Sequence, residues 1–482
     1  MTPEGRTRWA ADSDDPTRTA GERDTLPGPA DPTFVRQLSA AVNLLRDPLR
    51  FLPQVRRRYG PVCGLPARRP RLVFVSGPEE ARQILTDDAF VVDSFRQLRL
   101  RPGSPMMLLT NGLLRLNGAP HRRHRQAMRA AFAPRHVRKY TESMLRITDD
   151  VLDGWPAKGV VDLHDELATM VTRTSMSTMA GIDDRPTAER LHRLMVRLGA
   201  AAGNPLTYVV QAPLPGTPYR RMISLAAEIE SLLREMITRR RAGHRGPDLL
   251  SRLAEPAADA AEPLDDDELI GEAYTALCQD SVASSLFWTL VLLDQHRAWW
   301  RAVRDEVADV VGRGRPTAEL VENLPVMDQV IKESQRLFPP ASFFVRYGTD
   351  GATIMGCPVR PGATVVISPF VAHRDPRAFP DPLDFRPERW SEPTLPGYFP
   401  FGLGAHACIG RSLALLEMKL VLTRIMQRCP VVLAPGSHVD PVVRISTVPG
   451  RPVHARVLTP GTVDVPDRGP VAGALNHMVR IT

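Results

Sequence analysis

Residues 399–417, FPFGLGAHACIGRSLALLE, carry the reading that decides the fold. A single cysteine, Cys408, stands among Gly402, Gly404 and Gly410, just ahead of a long helical pattern, IGRSLALLEMKLVLTRIMQR. Glycines let the backbone approach a bulky flat group and turn its N–H groups toward the sulfur. The N-terminus of a helix further favours thiolate over thiol. These residues leave two readings open. Cys408 is either a strong axial donor to iron or a structural cysteine buried in a glycine-rich loop.

Composition narrows the classes. The 482 residues are 43% apolar and 24% charged, ordinary for a folded protein. A chain of this size can enclose a planar cofactor. No long linker or charge block divides its interior, so one large domain is expected. The formal net charge is +8, and Lys139, Lys158, Lys332 and Lys419 are the only lysines among 62 basic residues. Aromatics make up only 6% and do not interleave with basic blocks, which argues against nucleic acid. A basic surface meeting an acidic protein partner fits better. The five cysteines are widely spread with no CxxC pair, which argues against a disulfide framework and a cysteine-rich zinc site. The first 33 residues hold no signal-peptide apolar core, and the run Val282 to Leu293 falls short of a membrane span. A cytoplasmic protein without a membrane anchor is expected.

Residues 1–33, rich in Pro, Thr, Asp and Arg, read as a disordered leader. A catalytic domain over 34–460 and a tail over 461–482 are expected to follow. RLVFVSGPEEARQIL (71–85) predicts a strand, a turn, and a helix starting at its acidic pair. Helical patterns dominate from about 119 to 310. The last of them, from Asp265 to His296, runs some 30 residues without proline and opens on Asp265, Asp266, Asp267 and Glu268, which suit the helix dipole. ATVVIS (363–368) marks a short β region, and the proline-studded stretch 374–390 reads as irregular. The fold class is therefore mainly α with a small β portion.

Four more motifs hold chemistry-bearing residues. In KESQRLFPP, Glu333 and Arg336 share one helix face and can pair; FRPERW adds Arg389. In HRRHRQAMRAAFAP, His121 and Arg125 lie at i and i+4, and an Arg there suits a carboxylate. SFFVRYG contributes Phe343, Phe344 and Arg346, and DSVASSLFWTLVLLDQH opens on Asp280 and Ser281. A carboxylate beside a hydroxyl can relay protons. Each motif also has a bland reading, as a surface pair, a solvated basic face, or a polar break in a buried helix.

In this order the motifs resemble the cytochrome P-450 haem-thiolate monooxygenases of soluble bacterial type, whose haem loop takes the form FxxGxHxCxGxxLA. Phe401, Gly402, Gly404, His406, Cys408, Gly410, Leu413 and Ala414 supply that loop, and Glu417 stands where the family usually has Glu. The resemblance covers about residues 50–458 and implies haem b, buried between the long helix and the Cys408 loop, with Cys408 as the axial ligand. His121, Arg125, Arg346 and His406 would contact the propionates, with Phe401, Gly402 and Gly410 lining the cofactor. Glu333, Arg336 and Arg389 would form a structural triad. The implied activity is insertion of one oxygen atom from O2 into a lipophilic small molecule, by hydroxylation or epoxidation, as in natural-product tailoring. Electrons would come from NAD(P)H through a ferredoxin and its reductase, docking near Arg122, Arg129 and Arg411 of a monomer.

One segment departs from the family pattern. The family's long helix carries (A/G)GxxT with an acid before the Thr. Asp280 and Ser281 take the acid and alcohol places, while Leu277 and Cys278 replace the small residues. Leu277 is expected to crowd the oxygen groove, and Leu277, Cys278, Phe343 and Phe344 are candidate substrate contacts. Atypical haem-thiolate chemistry (peroxide-driven oxidation, oxidative coupling or rearrangement) and a non-enzymatic haem sensor or carrier stay open as alternatives.

Overall fold

The apolar runs punctuated by Gly and Pro form strands, and the 3.6-period segments form helices, in a computed structural model that describes residues 25–29, 34–93, 95–255, 263–278, 280–391, 395–462 and 469–481. About 55% of the chain is helical and 10% is strand. The 71–85 segment folds as read. A strand Leu72–Val75 is followed by Gly77 as N-cap and a helix Pro78–Thr86 with Glu79 and Glu80 in its first turn. ATVVIS supplies the strand Thr364–Ile367, and the pattern after Cys408 forms the helix Arg411–Arg428.

The chain gathers into two compact units, each drawn from separated stretches of chain. The smaller takes Met1–Val92, Ala341–Pro382 and Thr394–Ala407. Its centre is a five-stranded sheet in the order Val62–Leu65, Leu72–Val75, Thr364–Ile367, Phe344–Gly348, Phe90–Val91. Only Leu72–Val75 and Thr364–Ile367 run parallel. The larger unit is mostly helical and takes Asp93–Pro340, Leu383–Pro393 and Cys408–Thr482. The physical reason is that the sheet buries its own core, including Val73, Val75, Val365 and Ile367, apart from the helical core around Phe287, Trp288 and Val421.

The expected 30-residue helix is two helices. Asp266–Leu277 opens on a capping box between Asp265 and Glu268. It ends at Cys278, whose ψ of 75° leaves the helical region and whose N–H reaches only to Thr275 O. Asp280–Gln295 then begins afresh. Both halves pack on the helix Leu163–Ala180; Asp266–Leu277 also meets Pro105–Thr110 and Pro218–Arg241, and Asp280–Gln295 also meets Pro325–Leu337 and Arg411–Arg428. Taken together, the stretch Asp266–Gln295 is long and apolar enough to cross a membrane, longer than the apolar run the sequence marks, but 82% of its most apolar part is buried inside the protein.

The chain termini need correction too. Ordered packing starts before Phe34, because Leu26 is 3% exposed in the sheet core and its N–H bonds Ala67 O. The earlier residues, 1–24, lie outside those described. The tail is not an appendage: Val471, Leu475 and Val479 are buried in the helical core.

Candidate active site

Cys408 sits three residues ahead of the 411–428 helix, with Gly410 as that helix's N-cap. The Gly410 N–H donates to the Cys408 sulfur, and Arg125 and Arg411 lie close enough to favour thiolate. Burial outweighs all three, so the free thiol is held above its ordinary pKa. Cys408 is an exposed residue, yet the protein around its sulfur desolvates the thiol. A Cβ on Gly410 would stand 4.0 Å from the sulfur and 3.8 Å from the Phe132 ring.

The preceding loop belongs to the smaller unit. His373 Nε2 accepts the Phe399 N–H at 3.0 Å, which fixes where the loop departs. Gly402 and Gly404 both have φ near +70°, the left-handed region that favours glycine. At Gly404 a Cβ would also meet Leu85 O at 2.4 Å. Phe401 and His406 are half-buried, the latter in a short 3-10 turn Gly404–His406. The Phe344 ring reaches to 3.8 Å from where a Gly402 Cβ would be, and Phe343 is half-buried beside it in sequence.

Arg125 and Arg346 have no carboxylate partner among the described residues. Arg125 lies on the helix Gly118–Ala131; burial and the neighbouring Arg129 lower its pKa, and the Cys408 thiolate opposes that. Arg346 is 6% exposed, its described hydrogen bond goes to Val345 O, and burial lowers its pKa to about 10. His121, one turn before Arg125, is buried, and burial together with the charge of Arg125 favours its neutral form. Neutral imidazole and unpaired guanidinium groups suit an anionic ligand.

Asp280 and Ser281 form the exposed first turn of the 280–295 helix. Asp280 lies near Cys278 and Tyr274 and raises both their pKa values; it also opposes the burial that lowers His164 and His192. Cys278 is reachable by water, while burial pushes its thiol up to about 12. Leu277 is 5% exposed and packs in the helical core.

The cytochrome P450 family model matches residues 27–452. The chain belongs to the cytochrome P450 family. It is 30% identical to cyclooctatin synthase of Streptomyces melanosporofaciens, over 85% of this chain and 91% of that protein. It is 26% identical to pentalenene oxygenase of Streptomyces avermitilis, over 89% and 97%. Its fold matches the crystal structure of the cytochrome P450DA heme domain with a TM-score of 0.77 and 22% identity, over 90% of this chain and 97% of that one. Another neighbour is retinoic acid bound cyanobacterial CYP120A1, with a TM-score of 0.71 and 25% identity over 85% and 94%. The activity is that of a cytochrome P450 monooxygenase, with haem as cofactor and O2 as co-substrate. Within the larger unit the residues fit that cofactor, since a thiol stands ahead of a helix and the Arg125 guanidinium lacks a carboxylate partner among the described residues.

In this P450 the Glu333–Arg336–Arg389 group is assembled as one network. Arg336 donates to Glu333 through Nε at 2.9 Å and Nη2 at 2.8 Å, and Arg389 Nε donates to the same carboxylate at 3.0 Å. Sequence reasoning missed two members: the Trp390 indole N–H at 2.9 Å and the Arg386 backbone N–H at 2.9 Å. FRPERW contained both, but no spacing rule singles out an indole or a main-chain donor. It also missed His124, Glu268 and Glu272, a buried cluster joining the 118–131 and 266–277 helices.

Proposed function

We propose that this P450 oxygenates a lipophilic, cyclic terpenoid-like small molecule, with Cys408 as the axial ligand of the haem iron. The observation that carries the reading is Cys408 itself, just ahead of the 411–428 helix with the Gly410 N–H on its sulfur and Arg125 and Arg411 nearby. The substrate class is supported by relatives named cyclooctat-9-en-7-ol 5-monooxygenase and pentalenene oxygenase.

When bound, haem supplies the binding and activation of O2. This chain's residues supply everything around it. Arg125, Arg346, His121 and His406 would be the residues that hold the propionates. Phe401, Gly402 and Gly410 would line the cofactor. Asp280 and Ser281 would serve as the acid–alcohol pair through which protons are relayed. Phe343, Phe344 and the water-accessible Cys278 are substrate contacts. Leu277, packed in the core, acts there only by shaping the helix end. Glu333, Arg336 and Arg389 brace the 383–391 segment. Electrons come from NAD(P)H through a ferredoxin and its reductase, docking on the exposed Arg122, Arg129 and Arg411 of a cytoplasmic monomer.

The test is the reduced CO complex. Cys408→Ser should abolish its red-shifted Soret band, whereas Cys278→Ser and Cys357→Ser should keep it. Survival of the band in Cys408→Ser would overturn the assignment.

A further inference from the structure

His124 is 1% exposed, yet both its ring nitrogens meet carboxylates. Nδ1 lies 2.8 Å from Glu272 Oε1, and Nε2 lies 3.3 Å from Glu268 Oε1. Glu272, fully buried, also accepts the Leu113 N–H at 3.0 Å on that same oxygen. Glu268 is held in turn by the capping box with Asp265 and by an ion pair with Arg123. The chain just before Leu113 lies flush on the 266–277 helix: a Cβ on Gly271 would meet Asn111 O at 2.5 Å, and one on Gly112 would meet Gly271 O at 2.7 Å.

The 118–131 helix is thus tied to its neighbour at its own His124 and, through Leu113, at the segment that leads into it. His124 falls three residues after His121 and one before Arg125. Burial disfavours a charge on His124, but its bonds to Glu272 and Glu268 outweigh that and raise its pKa, while burial raises Glu272 as well. The bridge therefore holds a proton in a charge-assisted hydrogen bond. Such a bond resists rotation of the helix about its axis. A turn of about 20° would swing a side chain ~6 Å from that axis by about 2 Å, enough to break an Arg–carboxylate pair.

We infer that His124 is a positioning residue: by bridging Glu272 and Glu268 it fixes the rotation of the 118–131 helix, and with it the reach of His121 and Arg125 toward the haem propionates. This rests on the propionate assignment proposed above.

Haem release from the ferric holoenzyme to excess apomyoglobin measures that reach, and the propionate bending band in resonance Raman reports it directly. His124→Leu should speed release by about tenfold, the scale of one lost charge-assisted hydrogen bond, and shift the band. His124→Gln, which keeps an N–H donor, should stay within about threefold of the parent. Val303→Ala, a buried site on the helix Arg297–Val310, should lower the thermal midpoint while leaving both readouts unchanged. If His124→Leu yields no holoprotein, Glu272→Gln tests the same bridge from its other end and should shift the band in the same direction. An unshifted band in the bridge variants, or equal release from Val303→Ala at equal loss of midpoint, overturns the positioning role. Arg125→Ala separates the two claims. If it does not speed release, the propionate assignment fails and the inference falls with it; if it does while His124→Leu does not, only the positioning role fails.

Discussion

Two glutamates in the helical unit are fully buried under opposite conditions. Glu333 is ringed by donors from Arg336, Arg389, Trp390 and the Arg386 backbone, so its charge is compensated. Neither oxygen of Glu417 has a hydrogen-bond partner among the described residues. Burial pushes its pKa from 4.5 up to about 8, opposed only by nearby Thr174. A group whose pKa is raised on folding binds its proton more tightly in the folded state. Its stabilising contribution is complete below about pH 4.5 and is lost progressively as the pH rises to about 8. Denaturant unfolding across that window should show stability falling with pH more steeply in the parent than in Glu417→Gln, which has no proton to lose. Equal slopes in the two proteins would show that Glu417 is already ionised. The motif fixed the place of this glutamate in the sequence, but its lack of partners is set by the helices that close over it.

Among the elements, the broken helix matters most for chemistry. Periodicity predicts one helix from Asp265 to His296, because every residue type in it tolerates a helix. Nothing local announces a stop at Cys278, where neither Gly nor Pro is present. Beyond the Leu163–Ala180 helix that both halves share, each half has its own neighbours, and the break puts Asp280 and Ser281 in a first turn where an acid suits the helix dipole. Ser281→Ala should keep haem and substrate binding, while product formed per NADPH falls by about tenfold and hydrogen peroxide rises to match. Full coupling in that variant would place the proton relay elsewhere. The Cys408 loop, by contrast, was legible down to single glycines. Gly404 needs a positive φ and clears Leu85 O, and both demands write themselves into a short motif.

For the whole molecule, composition misplaced the edges. The residues after 460 look like a polar tail, yet the Val471 N–H bonds Gln295 Oε1 at 3.0 Å, the Ala474 N–H bonds Asp440 Oδ1 at 2.9 Å, and the Arg480 N–H bonds Leu383 O at 2.8 Å. Leu475 is fully buried at their centre. Leu475→Ala should therefore cost about 2–5 kcal/mol in denaturant unfolding, as for a core leucine. A cost within error of zero would return the segment to the status of a tail. At the other end, Leu26 packs in the sheet core although its neighbours in sequence read as disordered.

By itself the sequence determined the family, the cysteine proposed here to bind the iron, and the order of helices and strands. Those rest on side-chain type and spacing within some twenty residues, and local backbone physics reads them directly. Only the tertiary structure decided that the chain divides into two units with separate cores, that the long helix breaks at Cys278, and that Leu26 and Leu475 are buried. It alone joined His124 to Glu272, 148 residues away, and Trp390 to Glu333, 57 residues away. A buried donor takes whichever acceptor the folded chain brings within about 3 Å, and no spacing along the sequence encodes that meeting.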